Sequence, residues 1–124
     1  MSIFFSNPKA GFQSKKSFEM EFNNFLNNKG YFVSCANGTD AITLSLLTHG
    51  ITKGSVIAPS HTATASIIGI QKAGCSPVYA DVDPETLLIS LPAIESILKG
   101  NKNIKAILAV HLYGNGIHIR SLNK

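Results

Sequence analysis

The stretch "SCANGTDAITLSLL", Ser34 to Leu47, decides the fold. A short apolar run, Tyr31–Cys35, breaks at Asn37-Gly38-Thr39, and helical spacing starts at once. Ala41, Ile42, Leu44, Leu46 and Leu47 suit a helix over Asp40–His49, closed by Gly50. A strand that turns straight into a helix presents bare backbone N–H groups at the turn, ready for an anion. Gly38 lacks a Cβ, so an anion can approach the backbone closely. The N–H groups of Gly38, Thr39 and Asp40 are expected to point outward together, with the helix dipole and the Thr39 hydroxyl as further attraction. A phosphate fits such a turn. The same residues also read as an Asn-Gly turn with Thr39 or Asp40 as a simple helix cap. Spacing alone leaves both readings open.

Working outward, Phe18, Phe22, Phe25 and Leu26 mark one packing face of an earlier helix. Asn27-Asn28-Lys29-Gly30 ends it, with Gly30 suited to the left-handed C-terminal position. After the decisive stretch, Ser55–Ala58 reads as a strand cut off by Pro59, and Ala63 to Lys72 as a helix ended by Gly74. Pro77–Ala80 is a further strand and "DVDPET" a turn. A helix runs from Pro92, at its first position, to Lys99, and Lys105–Val110 is a last strand. Alternating strands and helices imply crossover units and a largely parallel sheet. The strands are continuous apolar runs, as expected when helices cover both faces. Ligands gather at the C-terminal edges of such strands, where "ANGTD", "PSHTA" and "HLYGNG" lie.

Composition narrows the classes. The chain has 124 residues, which fits one small domain or part of a larger one. Hydrophobic content of 44% against 15% charged argues against disorder. The net charge is +4, but the lysines are scattered, so no nucleic-acid surface is indicated. "MSIFFSNPKAGF" is not a signal peptide, and no apolar run is long enough to span a membrane. Cys35 and Cys75 sit in apolar surroundings and are expected to be buried thiols of a reducing cytoplasm.

Several chemical motifs fail. "GNG" at Gly114–Gly116 lacks the third glycine of the dinucleotide fingerprint, because Ile119 stands there. Asp81, Asp83 and Glu85 begin like a calcium loop, but Thr86 replaces its glycine and Pro92 its closing Glu. His49, His61, His111 and His118 show no zinc spacing, and no metal site is expected. Ser60-His61 lacks the glycines of a nucleophile elbow.

Five segments, in order and approximate spacing, resemble the pyridoxal-phosphate-dependent nucleotide-sugar aminotransferases of the DegT/StrS group. They are "FEMEFNNFL", "ANGTDAITLSLL", "VIAPSHTATA", "AGCSPVYADVDPETLLIS" and "AILAVHLYGN", and the match covers about residues 10 to 118. The resemblance implies an α/β chain forming part of the large domain of a type-I aminotransferase fold, a mostly parallel sheet with flanking helices. It implies a cytoplasmic homodimer, pyridoxal phosphate as cofactor, glutamate as amino donor and a nucleotide-linked keto sugar as acceptor. It puts Gly38 and Thr39 at the cofactor phosphate and Ala63 where the family usually places an aromatic ring over the cofactor. Alanine cannot stack, and His61 is the candidate substitute. The loop "KGSVIAPS" is one residue shorter than the usual form.

Family members are roughly three times longer, so residues 1–124 are expected to be a partial N-terminal segment, without the rest of the large domain and the C-terminal domain. The Schiff-base lysine and the aspartate at the pyridine nitrogen fall beyond this chain. None of Lys99, Lys102, Lys105 or Lys124 matches that lysine's motif, so no catalytic residue is assigned and the isolated chain is expected to be inactive. Two alternatives remain. One is a non-catalytic remnant that binds a phosphate or a partner; the other is a fragment of a related pyridoxal-phosphate sugar dehydratase.

Overall fold

In the computed structural model, which describes residues 8–27 and 30–118, Ser55–Pro59 forms β1, the centre of a three-stranded parallel sheet. On one side lies β2, Ser76–Ala80, paired in register from Ser55↔Ser76 to Pro59↔Ala80. On the other lies β3, Ile104–Ile107, with a register shift between Ser55 and Val56. The helices are α1, Pro8–Phe25; α2, Gly38–Thr48; α3, Thr64–Lys72; and α4, Leu91–Gly100. The described residues fall into two compact units, divided between Ala36 and Asn37.

The second unit is built on the alternation of β1. Successive side chains of a strand point to opposite faces. Val56 and Ala58 join Leu46 of α2, Ile70 of α3, Ala73 and Cys75 in one core cluster. Ile57, with no exposed surface, joins Ala80, Ile89 and Ile94 of α4 in the other. A central strand covered on both faces has no polar side to show, which is why its sequence reads as an unbroken apolar run. The expected α/β layering and parallel crossovers are therefore present. Pro59 closes β1 from inside the ladder, and β3 stops at Ile107 although the apolar run continues to Val110. Beyond the ladder, Leu108 N–H still donates to Ile57 O at 2.7 Å. An apolar cavity of about 410 Å³ opens between α2, α3 and β3, lined by Ile42, Leu46, Ile70, Ala106 and Leu108.

The first unit departs from expectation. Tyr31–Cys35 has no regular secondary structure and belongs to no ladder among the described residues, and Tyr31 and Val33 are exposed. Apolar composition supplies the preference for extension, but a strand forms only where a neighbour offers its backbone. The segment is held instead by side chains of α1. Glu19 Oε1 accepts Ser34 N–H at 2.8 Å and the Ser34 hydroxyl at 2.7 Å. Phe32 packs against Phe22 and Phe18, with ring centroids 4.4 and 5.9 Å apart. Only part of the aromatic face packs in this way, since Phe25 stays exposed.

The left-handed residue after α1 is Asn27, at φ 58°, and not Gly30. Asparagine tolerates this conformation, and the chain closes the helix there with a bond from Asn27 N–H to Asn24 O at 2.9 Å. Asn28 and Lys29 lie outside the described residues, as do the N-terminal segment through Asn7 and the tail from Ile119. Cys75 is buried as expected, whereas Cys35 is exposed, because the segment that carries it is not a buried strand.

Candidate functional site

The start of α2 is built by Asn37. Its backbone is extended, at φ −164° and ψ 174°, and its side-chain oxygen accepts Asp40 N–H at 2.9 Å. Ala41 N–H donates to the Asn37 carbonyl at 3.1 Å. The cap is therefore Asn37, not Thr39 or Asp40, because only the residue before the first helical turn has the extended backbone that aims its side chain at the third N–H. This leaves two outward N–H groups, on Gly38 and Thr39, which have no acceptor within the helix. Asp40 N–H, the third donor expected from the sequence, is taken. Gly38 is exposed, and a Cβ there would meet no atom within 4 Å. The space over the turn is thus open, and packing does not demand glycine.

Two features suit this turn to an anion. The Asp40 carboxylate in the first turn pairs with Lys72 Nζ at 2.9 Å, which offsets the negative charge beside the two N–H groups. The turn is also fixed from below. Thr43 Oγ1 donates both to Thr39 O and to Gly69 O, each at 3.0 Å. At Gly69 α2 and α3 cross so closely that a Cβ would lie 2.9 Å from Ile42 Cβ and 3.0 Å from Thr39 O.

Ala63 begins α3. It is the N-cap residue of α3, exposed and extended at φ −63° and ψ 135°, with no side-chain cap. It precedes Gly69, the residue against Thr39, by six positions, about 9 Å of helix. Gly38 and Thr39 thus lie at the head of α2 and Ala63 at the head of α3.

A contact the sequence did not announce joins two other loops. His61 Nε2 lies 3.2 Å from the Tyr113 hydroxyl, with ring centroids 5.9 Å apart at 43°. His61 follows β1 and Tyr113 follows β3, so the pair spans adjacent strands on their carboxyl side. Tyr113 has φ 52° and Gly114 φ 83°. Their turn is closed by Leu112 and Asn115, which exchange backbone bonds of 3.3 and 2.8 Å. Asn115 Nδ2 then donates to Thr86 O at 2.8 Å, tying this turn to "DVDPET". In that loop one Asp83 carboxylate oxygen accepts Thr86 N–H at 2.8 Å, the Thr86 hydroxyl at 2.9 Å and Glu85 N–H at 3.1 Å. The Thr86 backbone bond, then its hydroxyl, holds the Asp83 carboxyl below the usual carboxylate range. The loop is a hydrogen-bonded turn, and no cluster of metal-ligating side chains occurs among the described residues.

Comparison with known proteins adds to this geometry. The profile of the DegT/DnrJ/EryC1/StrS aminotransferase family matches residues 9–124. GDP-perosamine synthase of Vibrio cholerae is 41% identical over 106 residues, covering 85% of this chain and 28% of that protein. The dTDP-3-amino-3,6-dideoxy-alpha-D-galactopyranose transaminase of Aneurinibacillus thermoaerophilus is 39% identical, covering 86% and 29%. Among solved structures, NtdA from Bacillus subtilis with bound cofactor PMP superposes with a TM-score of 0.77 at 32% identity, over 86% of this chain and 24% of that one. The aminotransferase from Psychrobacter cryohalolentis does so with a TM-score of 0.76 at 32% identity, over 90% and 28%. The chain therefore spans under a third of the length of these relatives.

Proposed function

Because this chain belongs to the DegT/DnrJ/EryC1/StrS aminotransferase family, we propose that it is the N-terminal portion of a pyridoxal-phosphate-dependent aminotransferase acting on a nucleotide-linked keto sugar. Glutamate is the amino donor in this reading, and the complete enzyme works as a homodimer in the cytoplasm. Residues 1–124 form a partial segment of its large domain. The reading is supported by relatives named as GDP- and dTDP-sugar aminotransferases and by a structural relative solved with PMP.

The observation that carries it is the head of α2. Two N–H groups without a helical acceptor, an open approach over Gly38 and the Thr39 hydroxyl fit a phosphate monoester. When bound, pyridoxal phosphate supplies a pyridine ring that stabilises the carbanion needed to exchange an amino group. Gly38 and Thr39 bind and orient the phosphate end. Asn37 keeps the turn open by capping Asp40, and Lys72 neutralises Asp40 beside it. Ala63, at the head of α3, contributes only a methyl group to a cofactor ring.

Nuclear magnetic resonance titration with pyridoxamine 5'-phosphate tests this, since the amine form needs no lysine to bind. The amides of Gly38 and Thr39 are expected to shift together. Gly38→Val should abolish those shifts without unfolding the chain, because its Cβ meets nothing within 4 Å. Shifts scattered over the lysine-bearing loops, and unaffected by that substitution, would overturn the assignment.

A further inference from the structure

We propose that the Asp40–Lys72 pair sets how strongly the head of α2 holds a phosphate. Asp40 is an anion built into the same helical turn, and Lys72 acts from another helix by cancelling it, not as a ligand of the phosphate. The inference rests on the phosphate assignment proposed above and adds a control on its affinity.

Asp40 occupies the third position of α2, directly after Gly38 and Thr39. A carboxylate there is favoured by the partial positive charge of the helix N-terminus, the same charge a bound phosphate draws on. Asp40 and the ligand therefore compete for one field, and as like charges they also repel. Asn37 satisfies the Asp40 N–H at 2.9 Å, but a neutral amide brings no net charge to offset the carboxylate. The offset comes from α3. Lys72 Nζ lies 2.9 Å from Asp40 Oδ1. Of the ion pairs among the described residues this one joins two helices, whereas Lys15–Glu19 lies within α1.

The helix crossing brings the lysine to its partner. Gly69 and Lys72 are three positions apart on α3, and residues so spaced are neighbours on one helix surface. Gly69 faces Thr39 and Ile42 of α2, and its carbonyl accepts the Thr43 hydroxyl at 3.0 Å. Lys72, one turn further on, meets Asp40. The Asp40 side chain is 32% exposed. Water therefore screens its charge only in part, and an unpaired carboxylate would be felt at the adjoining N–H groups.

The test follows the Gly38 and Thr39 amides of the full chain during titration with pyridoxamine 5'-phosphate at low salt. Lys72→Met should weaken binding about threefold, the effect of one charge at a helix end. That loss should shrink as sodium chloride is raised, and Lys72→Arg should bind as wild type does. Asp40→Asn should bind about threefold more tightly. It should also unfold at a slightly lower urea concentration, because a carboxylate suits a helix start. The double variant, with both charges gone, should return to wild-type affinity or better. Opposite signs of affinity and stability in Asp40→Asn are a result that a purely structural bridge does not produce.

Three results would overturn the proposal while the phosphate assignment stands, since the two amides still respond in each. One is unchanged affinity in Lys72→Met. Another is a double variant as weak as Lys72→Met, which makes Lys72 a direct ligand of the phosphate. The third is an Asp40→Asn variant as weak as Lys72→Met, which makes the bridge a structural tie alone. Absence of any response at Gly38 and Thr39 in the wild-type chain removes both proposals together.

Discussion

Gly69→Ala probes the joint that holds the start of α2. A Cβ at this position would lie 2.9 Å from both Cβ and Cγ2 of Ile42 and 3.0 Å from the Thr39 carbonyl oxygen. Carbon atoms in ordinary contact sit about 3.5–4.0 Å apart, so the neighbours must retreat by about 0.5–1 Å. They cannot do so by a side-chain rotation. Ile42 Cβ is a branch point fixed to its backbone, and the Thr39 oxygen is backbone itself. The helices α2 and α3 must separate, which also lengthens the 3.0 Å bond from Thr43 Oγ1 to Gly69 O. Overpacking of this kind costs about 1–3 kcal/mol. Alanine's better helix propensity offsets up to about 1 kcal/mol of it. With overpacking at the middle of its range, about 2 kcal/mol, the net loss expected is about 1 kcal/mol, read as a lower urea midpoint at unchanged slope by far-ultraviolet circular dichroism. The Gly38 and Thr39 amide resonances should shift as the start of α2 moves. A variant as stable as wild type, with those resonances in place, would refute the argument that Gly69 sets the helix crossing.

Two further outcomes follow from hydrogen bonds at helix and loop ends. Asn37→Ala removes the acceptor for Asp40 N–H and should cost about 1 kcal/mol, with faster amide exchange in the first turn of α2 as the local signature. Glu19 gives a pH dependence. Its carboxyl is held below the ordinary value of 4.5, chiefly by the backbone bond from Ser34, then by the Ser34 hydroxyl. A depressed acid favours the folded form when ionised. Its contribution is therefore present above the unfolded value and is lost as pH falls through the lower, folded value. The Ser34 amide should titrate with a midpoint below 4.5, and Glu19→Gln should abolish that titration.

The layering of the second unit was legible because β1 is buried on both faces, and an apolar run bounded by turn residues has few other uses. Helix starts and stops of that unit were legible to within a residue or two, as at α3, expected from Ala63 and found from Thr64. The failures share a cause: they depend on what stands opposite. Tyr31–Cys35 has the composition of a strand, but composition does not provide a pairing neighbour. The burial of Cys35 was inferred from that strand and failed with it. At the site, glycine and threonine marked an anion-ready turn, whereas the cap depended on the φ and ψ of Asn37, which no spacing encodes. The His61–Tyr113 pair was invisible for a plainer reason. Nothing in "PSHTA" or "HLYGNG" reveals that β1 and β3 are neighbours, or that a tyrosine occupies a left-handed position.

That left-handed tyrosine has a consequence for how the chain changes under selection. Asparagine or glycine at position 113 would adopt φ 52° with less strain. A library of variants sorted only for folding should therefore drift away from Tyr113, and with it from the contact to His61. Stabilising this turn and keeping its phenol are opposed aims.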